Sequence, residues 1–224
     1  MNLLECQVGL ALGLILVSPI LKTSSAIIAK QLEYEKVQAL SVEADRALEL
    51  IGRAIRMAGY QNSETYSEGI AERIKEGKKE EGKKKESKKV SDWIEILKGQ
   101  GLHGSDSIFV RHELSDGIDL DCLGNTLTIE RTENHLAYQG FLVGRQAFAQ
   151  KGSKIDRGSL ICQSLDRHGR LQNIPLMDGV QHLSVQELPV VSGLQRILRV
   201  KLRMADGHLL EQEFERTFAT RNLL

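Results

Sequence analysis

The sequence predicts an α+β protein: a single long N-terminal helix followed by an antiparallel β-sheet head. Two observations carry this expectation. From Met1 to about Ala58 one helical pattern runs on without an internal stop, apolar at first and amphipathic later. From Gly104 onward, short alternating apolar and polar runs separated by turn residues read as strands.

The helix is taken first because the rest is arranged around it. Leu3 to Leu21 contains a single charge, Glu5, and at ~1.5 Å of rise per residue it would nearly cross a ~30 Å hydrocarbon layer. Residues 1–22 are therefore expected to form a membrane-spanning half. Beyond Lys22, Leu40, Ala44, Ala47, Leu48, Ile51, Ala54, Ile55 and Ala58 recur at steps of three and four. Residues 23–60 are thus an amphipathic half with one face to bury. Gly59, preceded by Arg53 and Arg56, is the natural stop.

Composition bounds the remainder. The 224 residues allow one such helix and one globular head. Lys plus Arg equals Asp plus Glu at 30 each, so nothing in the overall charge calls for a nucleic-acid partner. Of three cysteines, Cys6 lies in the apolar segment while Cys122 and Cys162 lie in the distal half. With an export-type start, a Cys122–Cys162 disulfide is expected.

Residues 61–98 form a connecting region. Within it, residues 75–89 hold eight Lys and four Glu and no apolar side chain, which predicts a solvated, disordered insertion. Ser91-Asp-Trp-Ile-Glu-Ile-Leu then restores apolar character and returns the chain to the head, residues 99–224. Gly99-Gln-Gly-Leu-His-Gly104 has the letters of a dinucleotide motif but no helix after it, so a glycine-rich turn is expected. Strands are predicted at 107–112, 126–130, 135–140, 159–164 and 180–187. A closing hairpin turns at Asp206-Gly207, with Arg199, Lys201 and Arg203 facing Glu211, Glu213 and Glu215.

No catalytic constellation stands out. There is no H-E-x-x-H, no G-x-S-x-G and no phosphate-binding loop, and the six histidines are scattered without ligand spacing. The expectation is a non-enzyme without cofactor or metal. Asp116, Asp119 and Asp121 offer oxygens but lack the order of a calcium loop, so turn contacts are the preferred reading.

Several phrases resemble a known family. Met1-Asn-Leu-Leu-Glu5 followed by Val8-Gly-Leu-Ala-Leu-Gly-Leu-Ile-Leu resembles the mature N-terminus of type IV pilins and pseudopilins, with Glu at the fifth place. Arg53-Ala-Ile-Arg-Met-Ala-Gly-Tyr60 is similar to the end of the long helix in PilW-type minor pilins. Gly104–Arg111, Asp121–Gly124, Ser159–Cys162, Pro175–Val180 and Ala219–Asn222 resemble further phrases of that family in order.

The resemblance implies a pilin-like fold and a structural role. Its subject would be a minor pilin in the initiation or tip complex of a type IV pilus, anchored in the inner membrane with a periplasmic head and incorporated into the surface pilus. Met1 would be the mature N-terminus, exposed by prepilin peptidase where a leader exists, and Glu5 would act in assembly through a neighbour's terminal amine. Partners would be other minor pilins, the major pilin and the inner-membrane assembly platform. A minor pseudopilin of a type II secretion system has nearly the same architecture, and a membrane-anchored periplasmic binding module is the third reading.

Overall fold

The computed structural model describes residues 3–61, 93–115, 117–132, 136–146, 158–189, 195–206 and 210–221. Met1, the Lys/Glu run at 75–89, Asp116 and Gly207 of the predicted turn lie outside the described residues.

The chain opens with one helix, α1 (Leu3–Met57). Eight strands follow: β1 (Ile94–Leu97), β2 (Ser107–Glu113), β3 (Leu136–Arg145), β4 (Gly158–Leu165), β5 (Leu171–Asp178), β6 (Val180–Leu188), β7 (Ile197–Ala205) and β8 (Glu211–Ala219). They form two antiparallel sheets, one of five strands in the order β1-β2-β3-β4-β5 and one of three in the order β6-β7-β8.

This corrects the expected fold class. The described residues are mostly antiparallel β, divided between two sheets, and the pilin-like plan of a membrane-spanning helix laid on one sheet is not found. Among the described residues no helix is long and apolar enough to cross a membrane. From Lys22 on the reason is legible in the chain: Lys22, Lys30, Glu33, Glu35 and Lys36 leave Thr23–Ala29 as the longest uncharged run before Val37, which at ~1.5 Å per residue is roughly a third of a hydrocarbon layer.

Contacts divide the chain into two compact units, Met1–Val42 and Glu43–Leu224. In the first, large aliphatic side chains stand in solvent: Leu10, Ile15 and Ile27 are each at least 65% exposed. The second contains both sheets and the last turns of α1. There Ala44, Ala47, Leu48, Ile51, Ala54, Ile55 and Ala58 are buried, the three-and-four spacing having placed them on one stripe. Gly52 lies directly under the Phe218 ring of β8, where a Cβ would overlap the ring carbons. Arg216 of β8 reaches the Asp45 carboxylate at 2.9 Å.

Alternation builds the sheets. On β7, Leu198, Val200, Leu202 and Met204 are fully buried, while Arg199, Lys201 and Arg203 point the other way. Across the register, Leu202 pairs with Phe214 and Leu198 with Phe218; on the opposite flank Leu183 and Val185 meet Leu202 and Val200. In the larger sheet, Ile108, Val110, Ala137, Phe141, Val143, Leu160 and Cys162 are buried on one face.

The passage from one sheet to the other rests on two glycines. Gly179, between β5 and β6, has φ +83°, a backbone that disfavours any side chain. Gly158 comes so close to the Val180 carbonyl that a Cβ would collide with it. Gly179 N donates to Gly158 O at 3.0 Å, and Ala205 N donates to Gly179 O at 2.8 Å, so one residue is bonded into both sheets.

Candidate functional site

Three features gather the polar chemistry of the head. The first is the loop between β2 and β3. Cys122 is disulfide-bonded to Cys162 of β4, with Cα atoms 6.2 Å apart. Beside it, Arg131 donates from Nη2 to Asp121 Oδ2 at 2.9 Å and to Leu165 O at 2.6 Å, and from Nη1 to Thr126 O at 2.5 Å. Asp121 Oδ1 also accepts from the amides of Leu123 and Asn125. Both of its oxygens are committed to holding the loop. Asp119 likewise accepts from Ser115, through N at 2.6 Å and Oγ at 2.9 Å. These two acids therefore serve as turn and pairing groups, and among the described residues no group of His, Cys, Asp and Glu is placed to hold a metal.

A second feature is the seam where the residues between β1 and β2 meet β6 of the smaller sheet. Asp106, just before β2, donates from its amide to Leu183 O at 2.8 Å and accepts from Val185 N at 2.8 Å and Lys98 Nζ at 2.9 Å. Lys98 also donates to the Val185 carbonyl. Burial by itself raises the Asp106 carboxyl, but the bonds from Lys98, Val185 and Gly99 together outweigh it and hold the group below the usual carboxylate range. Farther along, Arg196 grips Glu187 through two bonds of 2.8 Å and donates from Nη1 to Ile94 O at 3.1 Å. This tie draws Glu187 down as well, the Arg196 hydrogen bond outweighing burial.

The third feature is a row of polar and aromatic groups on the outer face of the five-stranded sheet. Phe109 lies over Gly140, and its ring stacks on Tyr138 with centroids 5.8 Å apart. Arg111 sits 5.6 Å from the Tyr138 ring centre. The Tyr138 hydroxyl donates to Gln163 Oε1 at 2.9 Å, and Gln163 Nε2 donates to Asn173 at 2.8 Å. Burial, partly offset by Arg111, pushes the Tyr138 hydroxyl up to about 12. It is a fixed donor at any physiological pH.

Of the residues picked from sequence, Cys122 and Cys162 are brought together as expected. Glu5 lies in the first turns of α1, whereas Met1 falls outside the described residues. Sequence reasoning passed over Asp106, Arg131 and His112. His112 is 2% exposed with Nδ1 unpaired, and burial holds it below the usual imidazole value despite the nearby Asp119 charge. Each sits within a run dominated by its strand or turn neighbours, and only the alternation on β2, which makes His112 inward-facing with Ile108 and Val110, gives a signal. Comparison with protein-family models, with curated proteins and with solved structures gives no match to this chain.

Proposed function

We propose that this chain is a structural subunit of a filament of the type IV pilin class, acting as a minor subunit at initiation or at the tip. One observation carries the reading. In the unit Met1–Val42, Val8, Leu10, Leu12, Ile15, Val17, Ile27, Ile28 and Leu32 are all exposed, from 48% to 67%. At 100° per residue these positions are spread right around the helix and form no single stripe. A helix apolar on every side is covered by other helices or by lipid in its working state. The placement of Glu5 at the fifth residue, in a sequence that resembles a pilin start, supports neighbouring subunits as that cover.

The chemistry is consistent with such a bundle. A carboxylate among aliphatic side chains is costly alone, and a terminal amine from the adjoining subunit neutralises it when the two helices are in register. The disulfide-bonded head belongs in this reading to an oxidising compartment outside the cytoplasm.

The test is Glu5→Ala in the native host. The expected result is fewer filaments and weaker co-purification of other minor subunits, with an unchanged melting temperature of the head. Loss of surface pili with protein secretion intact assigns the subunit to a pilus, and the reverse assigns it to a secretion pseudopilus. Normal filaments, secretion and partner recovery would overturn the proposal.

A further inference from the structure

The outer edge of β8 is an open sheet edge whose charge pattern selects its occupant, and we propose that it receives an extended, alternately basic strand from a different protein. Among the described residues, β8 is hydrogen-bonded to β7 only. Thr220 N donates to Arg196 O at 2.9 Å and Asp206 N donates to Leu210 O at 3.2 Å. Stepping by two along that register directs the even-numbered residues of β8 to β7, so the N–H and C=O of Glu211, Glu213 and Glu215 point away from it. The same three residues are exposed at their side chains. An incoming strand would thus meet unpaired backbone groups and a carboxylate at every second position.

Charge decides which strand fits. In columns across the sheet, β7 presents Arg199, Lys201 and Arg203, and β8 presents the three glutamates. Lys201 lies 2.7 Å from Glu215 and 3.4 Å from Glu213, and Arg199 lies 3.3 Å from Glu215. The next column in this alternation is basic. A second copy cannot supply it through its own β8, because antiparallel edge-to-edge pairing sets Glu opposite Glu, an unfavourable cross-strand arrangement. Nor can it offer β7, which is paired on both sides. On its other face β8 alternates Gln212 and Arg216 with Phe214 and Phe218, so the partner strand has Lys or Arg at one set of alternate positions and, at the other, apolar residues where it meets the two phenylalanines. Backbone bonding of this kind is a common mode of peptide capture.

The probe is a labelled nine-residue peptide with the sequence of β7 itself, Ile-Leu-Arg-Val-Lys-Leu-Arg-Met-Ala, titrated with the full chain and followed by fluorescence anisotropy. Saturable binding is expected, with slowed hydrogen exchange at the outward amides of Glu211, Glu213 and Glu215. Glu213→Pro removes one outward donor without touching the β7 ladder and should weaken binding about tenfold or more. Replacing Glu213 and Glu215 with Lys should transfer preference to a peptide carrying Glu at the basic positions. Equal binding of a scrambled peptide, unchanged affinity in Glu213→Pro, or no protection of the outward amides would each overturn the proposal.

Discussion

The Arg131 guanidinium lies 2.9 Å from the Asp121 carboxylate, and the two side chains are 10% and 0% exposed. A pair so far from water is held by geometry as much as by charge, since removing either partner strands the other. Arg131→Met is therefore expected to destabilise the head by about 3 kcal/mol. Asp121 would keep its bonds from Leu123 and Asn125 but lose its counter-charge. Chemical denaturation of the oxidised protein measures the loss. A change under about 0.5 kcal/mol, the usual range for surface substitutions, would show the pair to be dispensable.

Reduction of the Cys122–Cys162 bond acts on the same loop by a different route. The bond closes a sequence separation of 40 residues, for which chain-entropy arguments give roughly 4 kcal/mol. Reductant should lower the melting temperature of the wild-type head and leave that of Cys122→Ser/Cys162→Ser unchanged. Equal responses from both proteins would place the effect elsewhere.

Asp106 gives the seam between the sheets an acid limit. Its carboxyl is held below the usual carboxylate range in the fold, so its contribution is present above the unfolded value and is lost as pH falls through the lower, folded one. In Asp106→Asn, stability should fall less steeply than in wild type as the buffer is taken from about pH 5 to about pH 2. Parallel slopes would refute the assignment.

His112 sets a second window, nearer neutrality. Burial, with the Asp119 charge opposing, holds it below the usual imidazole value. The unfolded chain therefore takes up the proton first, and stability is complete above about pH 6.5 and declines below it until the folded group also titrates. His112→Leu should remove that decline at little cost near pH 8, because the Nδ1 of His112 has no bond to lose. Thermal melts at pH 8 and pH 5.5 decide the matter.

How much of this was readable in the residues varies with the element. The β7–β8 hairpin was plain, because strict alternation puts Leu198, Val200, Leu202 and Met204 on one face and three cations on the other. By contrast, β5 escaped notice: Leu171–Asp178 is an edge strand with no fully buried residue, its positions alternating exposed and half-buried, and it contains Pro175, so its apolar period is weak. β1 is only four residues long. Thr126–Glu130 has strand composition but is not one of the sheet strands. Its backbone bonds go to local partners, Leu127 N to Asp119 O and Arg131 N to Thr128 O, and Ile129–Arg131 forms a 3-10 turn. At the join between the two sheets Gly179 N bonds Gly158 O and Gly158 packs against the Val180 carbonyl, a placement that no local pattern reveals. For the site, the cysteine pair followed from counting, while the Asp106 and Arg196 ties join residues up to 102 apart in sequence.

Directly after the helix, Gly59 N donates to Arg111 O at 3.2 Å and Glu113 N donates to Tyr60 O at 2.8 Å, so the chain is stitched to the edge of β2 within three residues of Met57. The stop glycine, with φ +68°, makes that immediate turn possible. There is consequently no slack between helix and sheet at this point. Tension applied along the last turns of α1 is delivered to the backbone of β2, and from there to β3 and the disulfide-bonded β4, as a load shared among hydrogen bonds.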